Sequence, residues 1–138
     1  MAGELLLDTS GLVSLLDRSQ AHHAACAAFF RRWTRPVLTT EAVITESTHL
    51  LSRVTGGALA VLRFVREGGA ILVPGSAEAL ERAEVIMRKY EDADLDYVDA
   101  TLVVLAEDAG TEHILTLARR DFGALRWKGG RAFHVHPS

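Results

Sequence analysis

The sequence has few of the residues that anchor or cross-link a protein outside the cytoplasm. Cys26 is its single cysteine, so no internal disulfide can form and a disulfide-stapled secreted scaffold is excluded. No run approaches the roughly 18 uninterrupted apolar residues of a membrane span. The N-terminus lacks a positive region, and Glu4 and Asp8 interrupt its apolar run, which is not the pattern of a signal peptide. These absences predict a cytoplasmic protein with no membrane association.

Neither sign of charge is in large excess, because 18 acidic and 15 basic residues give a formal net charge of only -3. A chain with this balance has no global attraction to nucleic acid, so any such contact requires a local basic patch. Three prolines and 11 glycines exclude collagen-like and proline-rich chains. What is present is ordinary for a folded protein: 138 residues, 49% of them hydrophobic. We expect one domain over residues 1–138 with a sizeable core.

Short apolar runs alternate with segments of helical periodicity. Strands are predicted at residues 4–8, 37–39, 70–73, 113–116 and 132–135. Helices are predicted between them, with residues 119–130 as a basic loop region and with Gly110 ending the last long helix. Val43, Ser47, Leu50 and Val54 recur at helical spacing in the third helix. This alternation predicts an α/β fold around a parallel sheet.

Polar residues at the starts of these helices predict N-caps. Thr9 or Ser10, Thr40 and Ser76 each precede a helical segment. Asp96 suits the N-cap of a later helix, with Asp99 in its first turn beside the apolar stripe. Asp99 therefore points towards the margin of the core.

Other acids lie at strand ends or core margins. Asp8 follows three leucines at the carboxyl end of the first strand, where ligands bind in open parallel sheets, although aspartate is also a common cap. Glu46 falls on the edge of an apolar helix face, where it is either a half-buried surface acid or a ligand. Asp121 follows Arg119 and Arg120, and it is either their surface partner or part of a site.

Together these carboxylates suggest hard oxygen ligands for Mg²⁺ or Mn²⁺ and metal-assisted phosphodiester cleavage. Other chemistries lack parts, because the chain has no GxGxxG and no phosphate-binding glycine loop with lysine. The six histidines do not pair in a zinc-binding helix motif, and His134-x-His136 is near the tail, so we expect no zinc site. Cys26 is expected to pack in the core.

With these residues assembled, the chain resembles the PIN-domain nucleases, and most closely the VapC-type toxins of toxin–antitoxin pairs. The resemblance spans nearly the whole chain. It is carried by four stretches in order, which are Leu7-Asp8-Thr9-Ser10, Thr39 to Glu46, Leu95-Asp96-Tyr97-Val98-Asp99-Ala100 and Thr116 to Phe122.

The resemblance implies a three-layer α/β/α fold, a homodimer, a VapB-like antitoxin and Mg²⁺-dependent endoribonuclease activity on RNA, often tRNA. In that interpretation Asp8, Glu46 and Asp99 hold the metal, and Ser10 and Thr116 support it. The basic residues near the C-terminus form an RNA-binding patch, for which a solvated loop is the alternative. They are Arg119, Arg120, Arg126, Lys128 and Arg131.

The fourth stretch departs from the family pattern, which has Thr-x-Asp where this chain has Thr116-Leu117-Ala118. Ala118 replaces the usual fourth acid, through natural divergence or through a substitution that silences a toxic protein, and Asp121 is the next acid along the chain. Reduced activity is therefore expected. A nuclease-dead module that binds RNA or antitoxin is the alternative. A phosphotransferase of the haloacid-dehalogenase type fits less well, because it requires a second aspartate where Ser10 stands.

Overall fold

The protein, described by a computed structural model over residues 3–138, is built on a central five-stranded sheet. The strands of this sheet are β1 (Leu5–Leu7), β2 (Val37–Thr40), β3 (Ile71–Val73), β4 (His113–Leu115) and β7 (His134–His136). A separate antiparallel hairpin consists of β5 (Arg126–Trp127) and β6 (Arg131–Ala132).

Seven helices accompany the sheet within residues 3–138. They are α1 (Thr9–Leu16), α2 (His23–Arg32), α3 (Glu41–Leu50), α4 (Gly57–Arg66), α5 (Ala77–Lys89), α6 (Tyr97–Ala109) and α7 (Arg119–Ala124). Among these residues, no helix combines the length and the apolar character needed to cross a membrane.

The central sheet is parallel throughout, with strand order β3-β2-β1-β4-β7. Its middle strand, β1, is the triple-leucine run, and all three side chains are fully buried because helices cover both faces. Helices α1 to α4 contact one another, and α5 packs on α6. The expected three-layer α/β/α architecture is therefore confirmed, and the carboxyl ends of β1, β2 and β4 meet at one edge.

Three of the predicted caps are confirmed. The Thr40 hydroxyl accepts from the Val43 N–H at 3.4 Å, and the Ser76 hydroxyl accepts from the Ala79 N–H at 3.0 Å. Asp96 caps α6, and Gly110 ends that helix in the left-handed conformation, with a φ of 67°. The expected cap at Thr9 or Ser10 is wrong, because α1 begins one residue earlier with Asp8 in the N-cap position.

Two other expectations from the sequence are wrong. The apolar stripe of α3 does not continue to Leu50 and Val54, which are 56% and 41% exposed, because the helix ends at Leu50 and the buried residue is Leu51. The region 119–130 is not a loop but contains α7 and β5, which the buried side chains of Phe122 and Trp127 anchor to the core.

The predicted last strand at residues 132–135 is in fact two strands. Ala132 ends β6 in the hairpin, whereas His134 begins β7, which pairs in parallel with β4. Phe133 lies between them with its side chain buried against Phe122 and Trp127. A single residue therefore separates the hairpin from the edge strand of the main sheet.

Candidate active site

The carboxyl end of β1 places Asp8 at the edge where strand ends meet. Its side chain is only 5% exposed, although a carboxylate is among the costliest groups to bury. The Asp8 N–H donates to the Leu115 carbonyl at 3.1 Å, which extends the pairing of β1 with β4 by one residue. The backbone of the sheet therefore fixes where this carboxylate lies.

Two successive hydrogen bonds, each donated in the direction of Asp8, lead to its carboxylate. Thr116 Oγ1 donates to Asp8 Oδ2 at 2.7 Å. Because that donation uses the only hydroxyl proton of Thr116, Ser10 Oγ must be the donor in its 3.1 Å contact with Thr116 Oγ1. The Leu117 N–H donates to Ser10 Oγ at 2.8 Å, and the Ala118 N–H donates to Thr116 Oγ1 at 3.0 Å. The two hydroxyl groups thus orient the carboxylate.

The absence of a side chain at Gly11 allows α1 to lie against the end of β4. A Cβ atom built at Gly11 would come within 2.5 Å of the Leu115 carbonyl oxygen, a distance that real Cβ atoms essentially never show. Only glycine permits this close approach. The approach is what brings Ser10 within hydrogen-bond distance of Thr116.

The start of α6 carries two more acids, linked in a reciprocal capping box. Asp96 Oδ1 accepts from the Asp99 N–H at 3.0 Å, and Asp99 Oδ2 accepts from the Asp96 N–H at 3.2 Å. Asp96 is exposed, whereas Asp99 is half-buried. The prediction that Asp96 is a cap is confirmed, and Asp99 shares in the capping, which sequence reasoning did not anticipate.

Burial and mutual repulsion disfavour negative charge on these acids. Burial raises the pKa of Asp8 to about 6 against the opposing hydrogen bond from Thr116, and the charges of Glu46 and Asp96 add to the rise. Burial also raises the pKa of Asp99 well above its usual range, and the charges of Asp96 and Asp8 contribute. These acids therefore act on one another electrostatically although they come from distant parts of the chain.

The two remaining predicted acids are more peripheral. Glu46 lies half-buried on α3, and its charge reaches Asp8. Asp121 is exposed in the first turn of α7 and lines a cleft of about 450 Å³ together with Asp99 and Arg120. The cleft thus brings Asp121 and Asp99 to one surface, together with Arg120 of the predicted RNA-binding set.

The donor set fits a hard divalent cation. The carboxylates repel one another, so a cation among them would relieve the repulsion that raises their pKa values. Within residues 3–138 they are not packed as tightly as a closed all-protein cage, since no three acids offer ligand atoms within 4.8 Å of one another. Mg²⁺ suits such an open site because it binds through one or two carboxylates and keeps several waters.

Ala118 occupies a position where an acid would have two roles. It is the N-cap residue of α7, and no side chain caps this helix start. Ala118 is half-buried, and its backbone N–H donates to the Thr116 hydroxyl that binds Asp8. Alanine at this position leaves α7 without a side-chain cap and supplies no fourth carboxylate.

The five basic residues predicted to form one patch line three different clefts, one of which is the cleft of Arg120 described above. Arg119 and Arg131 line one cleft, whereas Arg126 and Lys128 line another beside α5. The Arg126 guanidinium donates to the carbonyls of Gly123 and Leu125 at 2.7 and 2.8 Å, where it binds the end of α7. RNA binding by any of the five stays a prediction.

Sequence reasoning missed a group of three histidines on β4 and the edge strand β7. His113 on β4 lies opposite His134 on β7, and the buried His136 follows two residues later. Burial lowers the pKa of His136 to about 4, with further lowering by the charges of His134 and His113. The spacing His134-x-His136 was visible in the sequence, but the third member joins only through strand pairing.

Comparison with known proteins agrees with this fold. The PIN domain family matches residues 5–127. Ribonuclease VapC26 of Mycobacterium tuberculosis is 36% identical over 135 residues, which cover 96% of this chain and 100% of VapC26.

Solved structures show the same architecture at lower sequence identity. The sarcin-ricin loop cleaving toxin VapC20 of M. tuberculosis superimposes with a TM-score of 0.74 at 20% identity, over 80% of this chain and 86% of VapC20. A toxin–antitoxin complex from Klebsiella pneumoniae gives a TM-score of 0.67 at 17% identity, over 88% of this chain and 92% of the matched chain. The chain belongs to the PIN domain family, among the VapC-type ribonuclease toxins.

Proposed function

We propose that this protein is a Mg²⁺- or Mn²⁺-dependent endoribonuclease and the toxin of a toxin–antitoxin pair. The observation that carries the proposal is the buried carboxylate of Asp8, oriented by Thr116 and placed in the field of other acids. A protein gains nothing in stability from such a group, because its burial and its repulsion both disfavour the charged form. Perturbed acids of this kind are typical of functional sites.

In the proposed site, Asp8, Glu46 and Asp99 hold the cation. The bound ion supplies an activated water and stabilises charge on the phosphodiester. Ser10 and Thr116 position Asp8 through their hydrogen bonds. Asp121 is a candidate for the missing fourth acid, since it follows Ala118 in the chain and borders the same cleft as Asp99.

RNA is the proposed substrate, including tRNA. VapC26 is named a ribonuclease and VapC20 cleaves the sarcin-ricin loop, so both relatives act on RNA. Arg120 lies in the cleft of Asp99 and Asp121, where it suits a phosphate contact.

The salt dependence of RNA binding tests the basic residues. Arg119→Glu should reduce the slope of log affinity against log salt by roughly 0.7 if it removes one contact to single-stranded RNA. Arg126→Glu should lower the slope likewise, because both guanidinium groups are charged and each also donates to a backbone carbonyl, Arg119 to that of Pro137 and Arg126 to that of Gly123.

An antitoxin and a second copy of the chain are the proposed protein partners, both in the cytoplasm. Apolar side chains stay exposed on consecutive elements: Leu59 and Leu62 on α4, and Ile71 and Leu72 on the edge strand β3. Exposed apolar groups on neighbouring elements are typical of interaction surfaces. The likeness to a toxin–antitoxin complex supports a VapB-like antitoxin as one of these partners.

Ala118 favours a second candidate, a nuclease-dead module that binds RNA or antitoxin without cutting. The missing acid leaves the three proposed ligands in place but removes a group close to Thr116. Such a protein would retain the fold and bind a cation weakly while cleaving slowly or not at all.

Cleavage of total RNA by the purified chain tests the proposal, with 3′ and 5′ ends mapped after incubation with Mg²⁺, with Mn²⁺ or with EDTA. We expect slow cleavage that requires the metal and is lost in Asp8→Asn. Glu67→Gln is the control, because Glu67 is an exposed acid at the end of α4. If neither the parent nor Ala118→Asp cleaves RNA with either metal, the binding module is the correct interpretation.

A further inference from the structure

The strongest unassigned feature of the molecule is the group of His113, His134 and His136. Each ring offers a ligand nitrogen, and these nitrogens all lie within 4.8 Å of one another. Within residues 3–138, no other three histidine, cysteine or acidic side chains approach so closely. From this convergence we infer that the trio is a transition-metal site, for which Zn²⁺ is the matching ion.

Strand pairing builds the site. His134 and His136 point to the same face of β7 because side chains alternate along a strand. The register of β7 against β4 places His113 directly opposite His134 and on that same face. Two neighbouring strands therefore present three imidazoles side by side, without any contribution from a loop.

The distances suit tetrahedral coordination after a small adjustment. His113 Nδ1 and His136 Nε2 lie 3.0 Å apart, as a hydrogen bond between the rings. Zinc–nitrogen bonds of about 2.0–2.1 Å at tetrahedral angles separate the nitrogens by about 3.3–3.4 Å. An ion would replace the shared proton while the two atoms separate by a few tenths of an ångström.

An aromatic shell limits how the rings can turn. His136 stacks on Phe29 with ring centroids 4.5 Å apart, and Trp33 contacts His113 at 5.3 Å. Both aromatic residues belong to the α2 segment, which covers this face of the sheet. A surrounding of this kind preorganises metal ligands and restricts access of water.

Ligand chemistry separates this site from the carboxylates. Imidazole nitrogen suits Zn²⁺ and related transition metals, whereas carboxylate oxygen suits Mg²⁺ and Mn²⁺. Three imidazoles leave the fourth tetrahedral position for water. Because His113 begins β4 and Thr116 follows its end, only one short strand separates the two sites. The bound ion would tie the edge strand β7 to β4.

Zinc binding to the untagged, chelator-treated protein tests the inference by isothermal titration calorimetry. With excess Mg²⁺ present to occupy the carboxylates, we expect one equivalent of Zn²⁺ per chain and a rise in melting temperature on binding. His134→Gln should weaken affinity by at least about 100-fold, since even the loss of an outer-shell partner commonly costs 10–100-fold. His134 is exposed, so this variant is expected to fold.

Two matched controls make the test specific. His49→Gln removes an exposed histidine on α3, and Asp8→Asn removes a carboxylate of the proposed nuclease site. Both should bind Zn²⁺ as the parent does. The absence of saturable binding, equal affinity in His134→Gln, or loss of binding in Asp8→Asn would each overturn the inference.

A spectroscopic measurement on the unmutated chain removes dependence on the variants. The Co²⁺-loaded protein should show the intense visible absorption of tetrahedral cobalt and three paramagnetically shifted imidazole signals in its proton spectrum. Weak octahedral absorption without shifted imidazole signals would place the ion elsewhere. Failure here would leave the nuclease proposal untouched, because that proposal rests on RNA cleavage and on Mg²⁺ or Mn²⁺.

Discussion

The carboxylates around Asp8 and the histidines around His136 are two clusters of titratable groups, and burial acts on them in opposite directions. It raises the pKa of Asp8 to about 6 and lowers the pKa of His136 to about 4. Burial thus favours the neutral form in both. The acids then repel one another when charged, whereas the lowered pKa values of His113 and His136 keep these two rings neutral near pH 7, where they hydrogen-bond and stack. Only the acid cluster depends on a cation to relieve repulsion, so only that cluster is expected to weaken the fold when metal-free.

The largest expected effect is that of a substitution at Asp99, within the acid cluster. Asp99→Asn should abolish cleavage and weaken Mg²⁺ binding, because it removes one hard anionic ligand. The metal-free variant should be no less stable than the parent, since asparagine still accepts from the Asp96 N–H and the repulsion is relieved. Cleavage assays, calorimetry and thermal unfolding in EDTA check this. A clearly lower melting temperature would assign Asp99 a structural role.

Ala118→Asp tests the acid cluster in the opposite way, because it adds an acid instead of removing one. The new acid should raise cleavage by about 10²-fold or more, which is the usual effect of placing a water-activating group correctly. The variant also supplies α7 with a side-chain cap. One defined RNA, cleaved by both forms at matched protein and Mg²⁺ concentrations, gives the ratio. Equal rates would mean that the fourth acid is dispensable or that Asp121 supplies it.

The pH dependence of stability distinguishes the two clusters without any ligand. Because the pKa of Asp8 is raised from 3.8 to about 6, folding favours its protonated form. The contribution of Asp8 to the free energy of unfolding is therefore highest below about pH 4, where Asp8 is protonated, and it falls by about 3 kcal/mol as pH rises through about 6. Asp8→Asn should remove this loss while keeping an acceptor for Thr116.

Urea unfolding of the metal-free protein between pH 4 and pH 8 checks the prediction as a difference between parent and Asp8→Asn. The histidines contribute the opposite slope, because the lowered pKa of His136 removes stability as pH falls towards 4. That slope is common to both proteins and cancels in the difference. A difference that stays constant with pH would contradict the raised pKa of Asp8.

The smallest expected effect is at Asp96. Asp96→Ala should destabilise the protein by roughly 1 kcal/mol through loss of the cap on α6. Part of this loss is offset, because the charge of Asp96 no longer acts on Asp8 and Asp99. Mg²⁺ affinity should be largely kept. If calorimetry finds it lost as completely as in Asp99→Asn, Asp96 is a ligand and not only a cap.

The sequence predicts the sheet and the long helices well because their signals are local. The buried leucines of β1, the hydroxyl caps at Thr40 and Ser76, and the glycine that ends α6 each act within a few residues. The sequence predicts a loop around α7, because a helix of six residues is too short for its apolar pattern to recur at helical spacing. Its structure depends on the tertiary burial of Phe122.

In the candidate site, too, the features with local signals could be predicted and those that depend on tertiary contacts could not. Asp8, Glu46 and Asp99 could be singled out because each lies at a strand end or on the margin of an apolar helix face. The hydrogen bond from Thr116 to Asp8 joins residues 108 positions apart, and no local pattern indicates it. The histidine trio depends on the register of two strands 21 residues apart at His113 and His134. Pairings of this kind follow from topology rather than from spacing.

The close contact at Gly11 has a consequence for how mutations spread through this protein. Any other residue at position 11 would push α1 away from the Leu115 carbonyl, because packed interiors do not yield by an ångström without cost. Ser10 would then move out of reach of Thr116, and the carboxylate of Asp8 would lose its orientation although no polar residue had been altered. Activity lost in this way would be regained by second changes that let β4 or α1 retreat, not by changes among the acids. Mutations at the contact between α1 and β4 are thus expected to abolish activity although they alter none of the proposed catalytic residues.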